Sequence, residues 1–282
     1  MKTARRLLAA ALCGAMLTTA AHADQGVSMA WSYRDFTTWS LFGGATAQNE
    51  APGNGFIYSN LILTRAASNF QAGAGFAPDT LTLDFNQAFS FDFHFFIPVS
   101  TLTRGDGLTF TLTDATGVGG SGSGLGYDGL SSHSVAFAID TFHLGGEPVS
   151  PSLQILSGGS VSPLASMETG LGDTIRDPDY QWYASLHYTP SGNDDNAGVL
   201  TGDIHHLNLG TFSVSAQVDF NQLGLVGVPV FYGFTAANGA ASDGHYVTSA
   251  MAVAVPEPGS WALILAGLAL VGRTAHRRSR QC

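Results

Sequence analysis

The side chains with most chemistry to offer here are carboxylates, and their spacing decides which chemistry is open to them. Between residues 24 and 255 the chain carries twenty acids, only three of them glutamates (Glu50, Glu147, Glu168). Against these stand four basic side chains, Arg34, Arg65, Arg104 and Arg176, so the body has a charge near −16. No Glu-x-Asp-x-(x)-Glu array sets an acid and a nucleophile on one strand to flank a glycosidic bond. There is also no Gly-x-Ser-x-Gly elbow, no His-Glu-x-x-His pair, and no cysteine apart from Cys13 and Cys282 near the two ends. A noncatalytic protein is therefore expected. The acidity repels phosphate backbones, which excludes nucleic acid as a partner. It leaves neutral glycans, divalent cations and cationic surfaces open, and it also serves solubility alone.

Two polar clusters read more simply than they first look. Gly192-Asn-Asp-Asp-Asn196 lies between apolar runs and is expected to be a hairpin turn, because Asn, Asp and Gly tolerate turn backbones. His205 and His206 are adjacent on an expected strand, so their rings face opposite ways and do not jointly chelate an ion.

The termini read as addresses. Lys2, Arg5 and Arg6 precede the apolar stretch Leu7 to Thr19 and the small-x-small site Ala21-His22-Ala23, a secretory signal that leaves Asp24 first. At the other end, Pro256-Glu257-Pro258 precedes Trp261 to Val271, an uncharged run well short of the roughly 20 residues that span a bilayer. Arg273, Arg277, Arg278 and Arg280 follow, and clustered arginines stay cytoplasmic. This order resembles the PEP-CTERM sorting signal. The resemblance implies export across the inner membrane, transient insertion through a short C-terminal hydrophobic helix, removal of the tail by an exosortase, and a final place at the cell surface or in the extracellular matrix. Segments 1–23 (signal helix), 24–254 (one β domain) and 255–282 (sorting signal) are expected. Both cysteines lie in the removed segments, so the mature chain has no disulfide and depends on a large core.

Period-2 alternation rich in Phe, Val, Leu and Thr predicts an all-β body with strands at 56–64, 79–85, 88–97, 107–113, 134–142, 152–156, 181–189, 199–209, 211–219, 230–236 and 246–253. So many antiparallel strands favour two packed sheets. Phe89, Phe91, Phe93 and Phe95 share one face, with Phe96 the exception. Residues 117–129 form a long glycine-rich loop of the kind that carries binding residues on β scaffolds.

Several collinear segments resemble the legume-type (L-type) lectin domain, a concanavalin-like jelly-roll sandwich of two antiparallel sheets. They are Phe36 to Ala45 with Leu61 to Thr64, Phe89 to Phe96, Gly105-Asp-Gly-Leu-Thr-Phe110, Gly124-Leu-Gly-Tyr127, Ser134 to Phe142, Trp182 to Tyr188 and Val230 to Gly239. The resemblance implies that Asp106, after a cis Gly105-Asp106 peptide, accepts hydrogen bonds from vicinal sugar hydroxyls, a task suited to a fixed carboxylate. Amides at Gly122 to Gly124 would donate to the sugar, and Asn238, Gly239 and the segment up to His245 would wall the pocket. Tyr127, Tyr246 and His245 are the rings available to stack on a sugar. The family's metal segment is only partly matched. Asp140 and Phe142, through its carbonyl, fall on two calcium positions and Glu147 can stand in for a third, whereas Ala138, Leu144 and Leu153 occupy places where the family has ligands. Calcium needs six to eight oxygens, so a degenerate calcium site and no transition metal are expected. The expected function is recognition of an extracellular polysaccharide. The alternatives are a structural or adhesive matrix protein that has lost its sugar site and, less favoured, a glycan hydrolase.

Overall fold

The computed structural model describes residues 31–33, 35–50, 58–179 and 182–254. The signal sequence, the Pro-Glu-Pro triplet and the apolar run 261–271 lie outside the described residues, as does the start of the strand expected from residue 56. Among the described residues no helix is long and apolar enough to cross a membrane.

Two antiparallel sheets form a jelly-roll sandwich. The first contains β1 (Trp31–Tyr33), β3 (Thr46–Glu50), β4 (Tyr58–Thr64), β6 (Phe89–Phe96), β11 (Trp182–Pro190), β12 (Ala197–His206), β13 (Gly210–Asp219) and β15 (His245–Ala254). Its order is β13-β12-β11-β6-β15-β4-β3, with β1 also on β15. The second contains β2 (Ser40–Gly43), β5 (Ala72–Phe76), β7 (Gly107–Thr113), β8 (Ser134–Asp140), β9 (Ser152–Ser157), β10 (Ser160–Glu168) and β14 (Phe231–Ala237), in the order β10-β9-β8-β7-β14-β5-β2.

Alternation on β6 explains how the sheets adhere. Phe89, Phe91, Phe93 and Phe95 are all buried between the layers. Across the gap Phe91 meets Phe110 of β7 with centroids 4.9 Å apart, and Phe93 meets Phe234 of β14 edge to face at 5.0 Å. Each such ring contributes roughly 1.5–3 kcal/mol by leaving water. Phe96 turns the other way and rests on Tyr246, 5.9 Å away.

The glycine-rich segment is a fixed cover over the second sheet. Leu125 and Tyr127 are buried on Ala136, Ala138 and Leu156, and the Tyr127 hydroxyl lies 2.8 Å from Ser134 Oγ. The strand expected at 79–85 is absent: Leu81, Leu83 and Phe85 are buried, but only Leu81 pairs, in a single bridge to Val230. Strand β15 runs ten residues across the middle of its sheet, from His245 beside Thr64 to Ala254 beside Phe89. At about 3.3 Å per residue it separates these two poles by roughly 30 Å.

Candidate functional site

The loops at the His245 pole bring the expected site residues together. Strand β7 begins at Gly107, which pairs with Asp140 at the end of β8, and the Thr141 amide donates to the Asp106 carbonyl at 2.8 Å. Asp106 and Asp140 therefore share one rim, although 34 positions separate them in the sequence. Gly107 has φ +146°, a region that L side chains rarely adopt, and a Cβ there would lie 2.3 Å from the Ile139 carbonyl oxygen. The expected cis bond before Asp106 does not occur. The only cis peptide among the described residues is Ser150-Pro151, and the unusual backbone that turns the Asp106 carboxyl inward sits one residue later, at Gly107.

Asp106 is 4% exposed. The Gly239 amide donates to its carboxylate, while Oδ2 has no protein partner. Gly239 and Gly122 close over that oxygen: a Cβ at 239 would stand 3.1 Å from Oδ2 and 3.2 Å from Gly122 Cα. Burial pushes the Asp106 carboxyl up to about 6, against the Gly239 hydrogen bond that lowers it. The result is a buried charged acceptor held by one backbone amide, with its second oxygen left without a protein donor.

Beneath this rim lies a framework that sequence reasoning missed. Arg176 and Asp243, both buried, form a bidentate ion pair with Nη2–Oδ1 at 2.8 Å and Nε–Oδ1 at 3.1 Å. Arg176 also donates to the Ser100 and Leu102 carbonyls, and Asp243 Oδ2 accepts from the Gly105 amide at 3.4 Å. Asn238 is fully engaged in the same framework. Its Nδ2 donates to the carbonyls of Arg65, Ser68 and Asp243, and its Oδ1 accepts from the Asp243 amide. The side chain expected to wall a sugar pocket instead ties loops together, and its neighbour Gly239, itself buried, turns its amide to Asp106. Gly124 is buried at the end of the covering loop, where its amide donates to the Ser121 carbonyl. The Gly122 amide donates to the Asn238 carbonyl at 3.1 Å, so the Gly122 and Gly124 amides expected to donate to a sugar are already engaged within the protein. The three rings considered for stacking are all in use elsewhere: Tyr127 is in the second core, His245 is fully buried against Thr64, and Tyr246 packs on Phe96.

The calcium positions do not fit a calcium ion. Asp140 Oδ1 accepts from the Phe142 amide and the Ser150 hydroxyl, and Oδ2 accepts from Gln154 Nε2 at 2.8 Å. Glu147 Oε2 caps the Leu144 amide at 2.7 Å, and Leu144 itself is exposed. Hydrogen bonds thus take up both Asp140 oxygens and one of the two on Glu147, and no group of three metal-ligating side chains forms among the described residues. Burial raises Asp140 to about 7, with Glu147 adding repulsion. Replacing a chelator by 1 mM calcium is accordingly expected to move the melting temperature by no more than about 1 °C, since stabilisation follows differential binding to the native state. A calorimetric shift of several degrees would contradict this reading of the loop.

Asp106 also predicts two opposed pH responses in chelator. Its carboxyl is raised from the unfolded value, so the native state holds the proton more tightly. Its contribution to stability then falls as pH rises from about 4 through about 6. Relative to wild type, Asp106→Asn should gain on the order of 1–3 kcal/mol between pH 4 and 7.5 in urea titrations. Ligand hydroxyls donate to the ionised form, so binding should weaken as pH drops through about 6. Parallel pH profiles for stability and binding would refute the assignment.

Residues 254–280 match the PEP-CTERM protein-sorting motif, which marks the chain for export and exosortase-dependent surface or extracellular sorting. The body has the fold of the legume lectins. Lectin I-B4 of Griffonia simplicifolia, in its metal-free form, superposes with a TM-score of 0.63 at 19% identity, covering 81% of this chain and 100% of its own. A lectin of Bauhinia forficata in complex with GalNAc gives 0.63 at 19% identity, covering 81% and 99%. Arcelin-5, a lectin-like defense protein of Phaseolus vulgaris, gives 0.61 at 19%, covering 79% and 96%. No curated protein matches the chain in sequence.

Proposed function

We propose that the protein is an exported, exosortase-processed, noncatalytic binder of extracellular polysaccharide, with Asp106 as the acceptor for its hydroxyls and Gly239 and the Gly122–Gly124 segment as the rim around it. The observation that carries this reading is the buried Asp106 carboxylate with one unpartnered oxygen, set under two glycines at the mouth of a lectin-like sandwich. The GalNAc complex of the Bauhinia lectin supports it by fold. Residues 1–23 act as the secretory signal, 24–254 as the binding domain and 255–282 as the sorting tail, with exosortase and the secretion machinery as processing partners.

Tail placement suits this role. Strand β15 ends at the pole opposite Asp106, and only residues 255–260 separate it from the apolar run, a reach of at most about 20 Å. While the tail is inserted, the Asp106 rim faces away from the membrane.

A second reading, a structural matrix protein without sugar binding, draws on Leu144 in place of a polar contact and on the depth of Asp106. A glycan array probed with the purified protein, with and without calcium, separates the two. Retention on a defined glycan set supports the first reading, and no retention in either condition supports the second.

A further inference from the structure

Beside Asp106 the rim opens into a cleft of about 460 Å³ that does not include Asp106 in its walls. Thr101, Thr103, Arg104, Thr141, Phe142 and Asp173 are among the residues that line it. Arg104 is anchored there at one end: its Nε donates to the Thr141 carbonyl at 3.1 Å. Its Nη1 is held by the carboxylate of Asp173, whose side chain is 77% exposed and also stands 3.7 Å from Arg176 Nη1. Thr141 is among the residues that line the cleft, and its Oγ1 lies buried behind the surface without a hydrogen-bond partner. Leu102 and Phe142 add apolar surface.

These facts combine in one direction. The described residues include only three arginines, Arg65, Arg104 and Arg176, and no lysine; Arg104 lines this cleft together with His143, and Arg176 stands behind it, 3.7 Å from Asp173. Arg176 is neutralised by buried Asp243, so Arg104 is the cation whose partner can be exchanged. A guanidinium fixed at Nε presents its remaining N–H groups in a planar fork suited to a carboxylate. The partner it now holds is a surface carboxylate, and an exposed ion pair of this kind is worth little, so a competing carboxylate displaces it at small cost.

We propose that this cleft is a subsite for a carboxylate-bearing sugar, a single uronic-acid unit spaced among neutral ones so that the acidic body does not repel the polymer, which takes Arg104 from Asp173. The inference rests on the sugar-binding reading above and names its ligand class. The Asp106 carboxylate takes neutral hydroxyls of one unit while Arg104 takes the acid group of a neighbouring one.

The test is calorimetric titration of the purified protein with an oligosaccharide carrying a single uronic-acid unit among neutral ones and with the same oligosaccharide after reduction of its carboxyl group. Wild type should prefer the acidic form by at least about 10-fold, and Arg104→Gln should lose that preference while retaining affinity for the reduced form. Asp173→Asn removes the internal competitor and should strengthen uronate binding about 3-fold, an effect that a merely structural role for the pair does not produce. Equal affinity for both oligosaccharides, or an unchanged preference in Arg104→Gln, overturns the subsite and leaves the Asp106 reading standing. Failure of either oligosaccharide to bind overturns the subsite, and with a blank glycan array it overturns the sugar-binding reading as well.

Discussion

Asp106→Asn is expected to lower affinity for the bound glycan by at least about 100-fold while the melting temperature at pH 7 stays unchanged or rises. The asymmetry follows from geometry. Asparagine has the same shape but turns one strong, charged acceptor into a neutral group, and hydrogen bonds to an ionised acceptor are roughly twice as strong as neutral ones. For the fold the change removes a buried charge with an unpartnered oxygen, a feature that costs stability when no ligand is bound. Titration calorimetry on an array-positive glycan, with thermal melts of both proteins, reads the two effects together. Loss of binding accompanied by a large drop in stability would mean that Asp106 is a structural turn residue.

The largest effect on stability is expected at Arg176. Arg176→Ala leaves Asp243 buried without its cation and removes the donors to Ser100 and Leu102, and breaking one side of a buried pair costs about 3–5 kcal/mol. Asp243→Ala should cost a similar amount for the converse reason. The double variant should be less destabilised than the sum of the two, because removing both charges leaves no lone buried one. Urea midpoints measure this, and strict additivity would show that the pair is not coupled. Since Asp243 also accepts from the Gly105 amide, the single variants should weaken glycan binding through displacement of Asp106.

Particular residues explain what could be read in advance. Phe89 to Phe95 were legible because alternation with large rings reports a strand buried on one face. The same signal misled at residues 79–85, where Leu81, Leu83 and Phe85 do alternate into the core but the backbone finds only one bridge, because periodicity reports burial and is silent on pairing. Strand β5, Ala-Gly-Ala-Gly-Phe, gave no strand signal: its glycines exist so that Leu61 and the Leu63 carbonyl can approach closely. Edge strand β10 was hidden by Pro163 and its serines, which an edge with irregular register tolerates.

At the site, chain order carried Asp106 and Asp140 to one rim through the β7–β8 pairing. The Arg176–Asp243 pair was invisible because it joins residues 67 positions apart with no local pattern. The one available signal was scarcity: a body with four arginines that still retains one between Ile175 and Asp177 has a specific use for it. The side-chain role of Asn238 depends on carbonyls from two loops far apart in sequence, which spacing does not encode.

The most direct test of the central claim is amide chemical-shift mapping of the purified protein during titration with an array-positive glycan. The account predicts saturable shifts at Gly122, Gly124, Thr141 and Gly239, with none on the outer face of the first sheet around Tyr183 and His205. Shifts confined to that outer face, or no saturable shift at the Asp106 rim while the glycan demonstrably binds, would contradict it.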